Sequence, residues 1–251
     1  MWSLIEQFQS ILHPPCLLCG SWHANMDNYC SACYQDLPHN THCCIRCALP
    51  LSDSNSIDQY CGQCLRQPPE FNRSLAALYY LPPVSSLIHA FKDQDNQVAG
   101  RLLSACLSHY VVRRKLSLPE LIIPMPLHHR RLQQRGFNQA AVIVQHLSKT
   151  LALTTTNKLV QRCANTPSQQ GLNQRQRQAN LRHAFRVQAP KSVMKLFGKI
   201  RHIAIVDDVM TTGASANALA KTIKQANPNN LYVEVWCLAR TLPPHSKLHL
   251  Y

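Results

Sequence analysis

The stretch from Ile203 to Ser215 constrains the fold of this chain more than any other part of its sequence. It reads as a buried apolar strand, two adjacent acids at the strand's carboxyl end, a short Thr-Thr-Gly turn and the start of a helix. Backbone N–H groups of such a turn surround an anion, and the amino end of the helix adds its positive dipole end. Gly213 permits a positive φ or a close approach of backbone to ligand. The stretch therefore predicts a phosphate site, with acids beside it for sugar hydroxyls or hydrated magnesium.

A plain strand-to-helix loop, with Thr212 or Ser215 as its N-cap, is the alternative interpretation of this stretch. Asp207 and Asp208 are adjacent acids with no basic neighbour in sequence. Like charges held at one strand end carry an electrostatic cost, which favours the ligand-binding interpretation.

The segment from Val206 to Ser215 resembles the phosphoribosyl pyrophosphate (PRPP) motif of type I phosphoribosyltransferases. The resemblance implies that the acids contact the ribose hydroxyls, that the turn holds the 5′-phosphate and that magnesium accompanies the ligand. Thr211 occupies the position of an Asp in the members that act on 6-oxopurines, which argues against such a substrate. The implied PRPP-binding residues are Asp207, Asp208, Thr211, Thr212, Gly213, Ala214 and Ser215.

Nine of the twelve cysteines precede residue 65, and eight of them form four Cys-x-x-Cys pairs. Each such pair places two thiolates on one metal, so four pairs predict two structural zinc sites of four cysteines. We expect sequential pairing, with a cross-braced arrangement as the alternative, and Cys43 competes with Cys44 as a ligand. The predicted ligands are Cys16, Cys19, Cys30 and Cys33 for one ion and Cys44, Cys47, Cys61 and Cys64 for the other.

Charge is distributed unevenly along the chain. Residues 1–70 contain two basic residues and six acids, whereas residues 71–251 contain 24 basic residues and six acids. The 86 residues between Glu120 and Asp207 include fourteen Lys or Arg and no acid. A surface of one sign indicates an anionic partner such as pyrophosphate, a phosphorylated substrate or a nucleic-acid backbone. The sequence shows neither a membrane-spanning run nor a basic signal-peptide start, so we expect no membrane span and a cytoplasmic location.

Apolar strands alternate with helical patterns after residue 69, which predicts an α/β fold whose mainly parallel sheet carries helices on both faces. Expected strands are 75–81, 121–123, around 160, 204–206 and 231–238, and expected helices include 84–91, 98–114 and 139–151. Residues 1–68 are predicted to form an N-terminal helix and a double zinc-ribbon module. The Pro68-Pro69 linker separates it from a phosphoribosyltransferase-like domain at 69–251.

Two basic segments are candidates for contact with the same ligand. Residues 128–139 are predicted to form a loop whose arginines make bidentate contacts to phosphate oxygens, or else a solvated basic turn. The resemblance to phosphoribosyltransferases implies that this loop grips pyrophosphate. The residues of this pyrophosphate loop are Arg130, Arg131, Arg135 and Gly136. Residues 169–185 are predicted to form an amide-rich loop and a basic helical turn that cover the sheet as a substrate or nucleic-acid hood, or else a solvent-facing helix. The hood candidates are Arg175, Arg177, Asn180 and Arg182.

Taken in this order, the cysteine pairs, the Arg-Gly-Phe-Asn-Gln segment, the Asp-Asp-Val-Met-Thr-Thr-Gly turn and the closing residues 235–242 resemble the ComF/GntX family. The resemblance implies natural transformation or use of external DNA, with single-stranded DNA as a partner. No Walker-type loop is present, so a DNA-translocating helicase would be a separate partner. The alternative function is an active phosphoribosyltransferase in nucleotide metabolism, for which the sequence identifies neither acceptor nor catalytic residues.

Overall fold

The computed structural model describes residues 14–22, 24, 27–51, 59–163, 184–227 and 229–243. Four parallel strands form its central sheet: β1 (Arg73–Tyr79), β2 (Leu121–Pro124), β5 (His202–Met210) and β6 (Tyr232–Arg240). Their order across the sheet is β1-β6-β5-β2. Two short strands, β3 (Val160–Arg162) and β4 (Phe185–Val187), pair antiparallel beside it. The predicted strands are thus present, although β5 extends four residues beyond its predicted end at Val206 and includes both acids.

Helices cover both faces of the sheet, as predicted. The helices are α1 (Ser31–Gln35), α2 (Gly62–Arg66), α3 (Val84–Asp93), α4 (Gln97–Arg113), α5 (His129–Arg135), α6 (Gln139–Leu151), α7 (Lys191–Phe197) and α8 (Ala214–Ala226). Because side chains alternate along a strand, Ala204 and Val206 of β5 pack in the core beneath α3, α4 and α6. Ile203 and Ile205 pack in the opposite core with α7 and α8. The α/β architecture is therefore confirmed.

The basic segment after β2 differs from its prediction. Residues 128–139 were expected to form a loop, but residues 129–135 form helix α5. The ring of His128 accepts a hydrogen bond from the backbone N–H of Arg130 at 3.4 Å and caps the helix start. Gly136 ends the helix at φ +77°. Arginine and glutamine favour helices, so this short basic segment folds locally into two helical turns.

The cysteine-rich module packs along the outer edge of β1. Backbone N–H groups of Asn40 and Tyr79 donate to Ala77 and Pro38 carbonyls at 3.0 and 2.7 Å. His39 forms an antiparallel bridge with Leu78. These contacts cover a sheet edge that would otherwise present unpaired backbone groups. The expected N-terminal helix lies outside the described residues, and the boundary at residues 68 and 69 stays a prediction.

Candidate functional site

The acid pair lies near the carboxyl end of β5, where both side chains are partly exposed. The Asp207 carboxylate accepts the backbone N–H of Asp208 at 2.9 Å, and Asp208 accepts that of Val209 at 2.6 Å. Burial and the neighbouring charge of Asp208 raise the pKa of Asp207 to about 7. Two partly buried carboxylates so close together repel each other, so contact with a cation or a hydrogen-bond donor stabilises them.

Lys92, at the carboxyl end of α3, is a site residue that the sequence patterns did not identify. Its Nζ lies 2.8 Å from Oδ2 of Asp208, and the two side chains are 22% and 14% exposed. The positive charge of Lys92 also opposes the rise in the pKa of Asp207. In the sequence Lys92 reads only as a basic residue in the last turn of a helix.

Arg162 of β3 is a second residue near the acid pair that the sequence patterns missed. The charge of Arg162 opposes the rise in the pKa of Asp207. Burial and the charge of Arg131 lower the pKa of Arg162, while Asp207 raises it. Arg131 of α5 is therefore close enough to Arg162 for their charges to interact. Arg135, in contrast, donates from Nη1 to Oε1 of Gln139 at 3.4 Å.

His128 lies at the start of this basic segment and is 5% exposed. Its pKa is lowered by burial and then by the surrounding positive groups, of which His129 and Arg130 are the nearest in sequence. A neutral ring at this position suits its observed acceptance of the Arg130 N–H. The positive charge of residues 128–135 is therefore carried by the arginines and not by His128.

The Thr-Thr-Gly turn between β5 and α8 has the conformation that the sequence led us to expect. Gly213 adopts φ +75°, a left-handed conformation that glycine accepts without strain. Oγ1 of Thr212 accepts the N–H of Ala214 at 3.3 Å, and α8 begins at Ala214. The amino end of a thirteen-residue helix therefore follows Asp208 after five residues.

The eight predicted zinc ligands form two groups, each with ligand atoms within 4.8 Å of one another. Pairing is sequential: Cys16, Cys19, Cys30 and Cys33 form the first centre, and Cys44, Cys47, Cys61 and Cys64 form the second centre. Hydrogen bonding from Cys47 lowers the pKa of Cys44, which favours the thiolate form that binds metal. Cys43 lies instead with its Sγ 3.9 Å from the hydroxyl of Tyr110. Two four-thiolate groups fit two structural zinc ions.

The hood candidates Arg175, Arg177, Asn180 and Arg182 lie outside the described residues. Across the part of the chain that the structure describes, each helix is too short or too polar to cross a bilayer.

Comparisons with known proteins agree with this architecture. Residues 8–65 match the family model of the double zinc ribbon domain. The chain is 34% identical over 233 residues to competence protein F of Haemophilus influenzae, an alignment that covers 90% of this chain and 96% of that protein. It is 35% identical over 237 residues to DNA utilization protein YhgH of Shigella flexneri, covering 90% and 97% of the two chains. YhgH of Escherichia coli strain K12 is 34% identical with the same coverage.

Proposed function

The chain belongs to the family of competence protein F and DNA utilization protein YhgH, and we propose that it acts in the uptake or use of single-stranded DNA and binds PRPP at the turn after β5. The names of its relatives support the DNA role. The ligand site is supported by one observation above the others. Two acids near the carboxyl end of β5, a glycine turn at positive φ and a helix start all lie within residues 207–214. In this proposal the cysteine-rich module is structural and the protein works in the cytoplasm, where thiolate ligands stay reduced.

Each part of the site matches a part of the ligand. Backbone N–H groups from Thr211 to Ser215 bind the 5′-phosphate, and the helix dipole favours its charge. Asp207 and Asp208 accept hydrogen bonds from ribose hydroxyls. Magnesium would be held by the same acids and would supply charge neutralisation for the pyrophosphate. Lys92 and Arg162 add positive charge beside the acid pair, and Arg131 adds positive charge near Arg162.

Isothermal titration of the purified protein with PRPP and MgCl2 tests this assignment. Asp207→Asn/Asp208→Asn is expected to weaken binding by about tenfold or more, because each charge-assisted hydrogen bond contributes about 1.5–3 kcal/mol. Asp93→Asn/Asp95→Asn removes the same charge at the nearby end of α3 and serves as the matched control, with wild-type affinity expected. Equal affinity of the site variant and wild type would refute the PRPP assignment.

A cleft between the first ribbon and α4 supports a separate contact with single-stranded DNA. Its volume is about 970 Å³, and tyrosine, histidine and arginine side chains dominate its wall: Tyr29, Tyr34, His39, His109, Arg113 and Arg114. The rings of Tyr29 and Tyr34 stack with centroids 5.2 Å apart. Arg113 and Arg114 are exposed at the end of α4. Aromatic rings beside arginines suit bases and phosphates of a single strand.

Salt-dependent binding of a fluorescent oligothymidylate tests the cleft. Arg113→Glu is expected to weaken binding and to reduce the slope of log affinity against log salt by about one, as for loss of one phosphate contact. Lys149→Glu makes the same charge change in the last turn of α6 and is the matched control. A slope that Arg113→Glu and Lys149→Glu change equally would place the DNA elsewhere.

An active phosphoribosyltransferase in nucleotide metabolism is the second candidate. It is favoured by the positive groups around the acids, because arginine side chains and magnesium stabilise the charge of a departing pyrophosphate. Pyrophosphate release is measured with PRPP, MgCl2 and each free nucleobase in turn. Release that wild type shows and Asp207→Asn/Asp208→Asn lacks supports the enzyme; binding without release supports a ligand-binding role.

A further inference from the structure

We propose that Arg240 is a positioning residue that couples the second four-cysteine centre to the phosphate turn, so that metal in this centre maintains ligand affinity at the turn. Arg240 ends β6 and pairs with Met210, the last residue of β5. It belongs to the closing segment 235–242, to which the proposed function gives no task. The inference rests on the proposed PRPP site and adds how that site is held in shape.

The guanidinium of Arg240 connects the two parts of the molecule directly. Its Nε donates to the carbonyl of Cys47, a ligand of the second centre, at 2.9 Å. Its Nη1 donates to the carbonyl of Met210 at 2.8 Å and to that of Thr211. The residue is 4% exposed. A buried guanidinium requires such acceptors, since an unsatisfied buried donor is costly.

The bonds to Met210 and Thr211 determine which way the turn's N–H groups point. A trans peptide is planar, and its C=O and N–H point in opposite directions. Carbonyls turned toward Arg240 therefore direct the N–H groups of Thr211 and Thr212 away from it. The N–H of Thr241 also donates to the Met210 carbonyl, at 3.1 Å, and reinforces this orientation. Arg240 thus sets the direction of donors assigned to the 5′-phosphate.

The Cys47 carbonyl is held by the geometry of the second centre. Sγ of Cys47 lies 3.5 Å from Sγ of Cys61, which belongs to a different Cys-x-x-Cys pair. The N–H of Ala48, the residue after Cys47, donates to the Cys44 carbonyl at 2.8 Å, and Ala48 is fully buried. Loss of metal would let the Cys44–Cys47 pair move away from the Cys61–Cys64 pair. The Cys47 carbonyl would then no longer accept from Arg240. The guanidinium then reorients, and the turn's carbonyls lose their donor.

The first centre lies in different surroundings and provides the comparison. Tyr29, next to its ligand Cys30, bonds through its hydroxyl to Nδ1 of His109 on α4 at 2.8 Å. Metal loss there is expected to disturb the cleft beside α4. It is not expected to move Arg240.

The test compares Arg240→Lys, Cys61→Ser and Cys19→Ser in the full chain. Zinc content is measured by mass spectrometry, PRPP affinity by titration with MgCl2, and amide hydrogen exchange over residues 211–213 without ligand. Arg240→Lys keeps the charge but loses the fork that reaches several acceptors. It is expected to keep both zinc ions, to weaken PRPP binding about tenfold, as for a lost charge-assisted bond, and to speed exchange in the turn.

Cys61→Ser is expected to lose one zinc ion and to reproduce the effects of Arg240→Lys. The two changes together should weaken binding little more than either alone. Cys19→Ser is expected to lose one zinc ion with wild-type affinity and exchange. Wild-type exchange in Arg240→Lys, or equal effects of Cys19→Ser and Cys61→Ser, would overturn the coupling. Exchange needs no ligand, so failure of wild type to bind PRPP would refute the ligand assignment and leave the coupling result readable.

Discussion

Replacing Glu234 by glutamine is expected to destabilise the fold without altering the ligand site. The Glu234 side chain is fully buried, and Arg73 donates to its Oε1. His202 Nε2 lies 3.0 Å from Oε1, and Trp236 Nε1 donates to Oε2 at 2.7 Å. Glu234 pairs in register with Ala204 of β5, three residues before Asp207. The substitution therefore affects a network away from the phosphate turn.

The expected loss follows from the burial of this carboxylate. Removing one partner of a buried ion pair costs about 3–5 kcal/mol, because the remaining charge stays unpaired. The side chain of Arg73 is 15% exposed, so water partly screens its charge and the expected loss is near the lower value. Glutamine keeps the shape of the side chain, which limits any cavity contribution.

Acid should reduce the difference between wild type and Glu234→Gln. Burial alone would raise the pKa of Glu234, but hydrogen bonds from His202 and Trp236 and the charge of Arg73 outweigh it, and the net pKa is below the ordinary value of 4.5. A carboxyl with a lower pKa in the folded state stabilises the protein above the unfolded pKa. This contribution is lost as pH falls through the folded pKa.

Urea unfolding followed by circular dichroism, in buffer that contains zinc, measures the effect between pH 4 and 8. Glu120→Gln is the matched control, because its exposed carboxylate accepts the N–H groups of Arg201 and His202 at 3.1 Å. The control should change stability by less than about 1 kcal/mol. Equal losses in the two variants, or a difference that grows as pH falls below 4.5, would refute the ion-pair argument.

Three further substitutions test packing and the site. Gly100→Ala would place a Cβ 2.6 Å from the ring of Phe91, so we expect overpacking to reduce stability by about 1–3 kcal/mol in thermal unfolding. Gly213→Ala introduces left-handed strain of about 1–2 kcal/mol and should weaken PRPP binding by titration, whereas Gly20→Ala carries similar strain in the first ribbon, away from the proposed ligand site. Lys92→Met removes a cation from the acid pair and should weaken PRPP binding severalfold by titration, about the effect of one partly exposed ion pair.

The strand, turn and helix around the acids could be predicted because their information is local. Apolar residues from Ile203 to Val206 specify a strand buried on both faces, and Gly213 marks the left-handed turn. The four-cysteine groups could be predicted for the same reason, since each Cys-x-x-Cys pair is a local metal-binding turn. Their sequential pairing followed the order of the pairs along the chain.

Lys92 and Arg162 could not be assigned to the site from sequence because only the tertiary fold brings them to the acids. Lys92 lies more than a hundred residues before Asp208, and no local pattern relates the two. Arg162 ends β3, a short strand that pairs with β4 and not with the main sheet. The helix at 129–135 was missed although its residues favour helices locally. A helix of seven residues is too short to be stable by itself, so its formation depends on tertiary contacts that the sequence does not reveal.

The division by composition at residues 68 and 69 does not coincide with a division of the hydrophobic core. Tyr29 and Leu37 of the first ribbon pack in the same core as β1 residue Leu78, on the face beneath α3 and α4. Ala48 of the second ribbon packs on the opposite face with Cys237 of β6. Both faces of the sheet are thus completed by the cysteine-rich module, the first ribbon on one face and the second ribbon on the other. Ala48 of the second ribbon shares its core with Met210 at the end of β5. The second centre is therefore the one that meets the phosphate turn, and Arg240 is the point of contact.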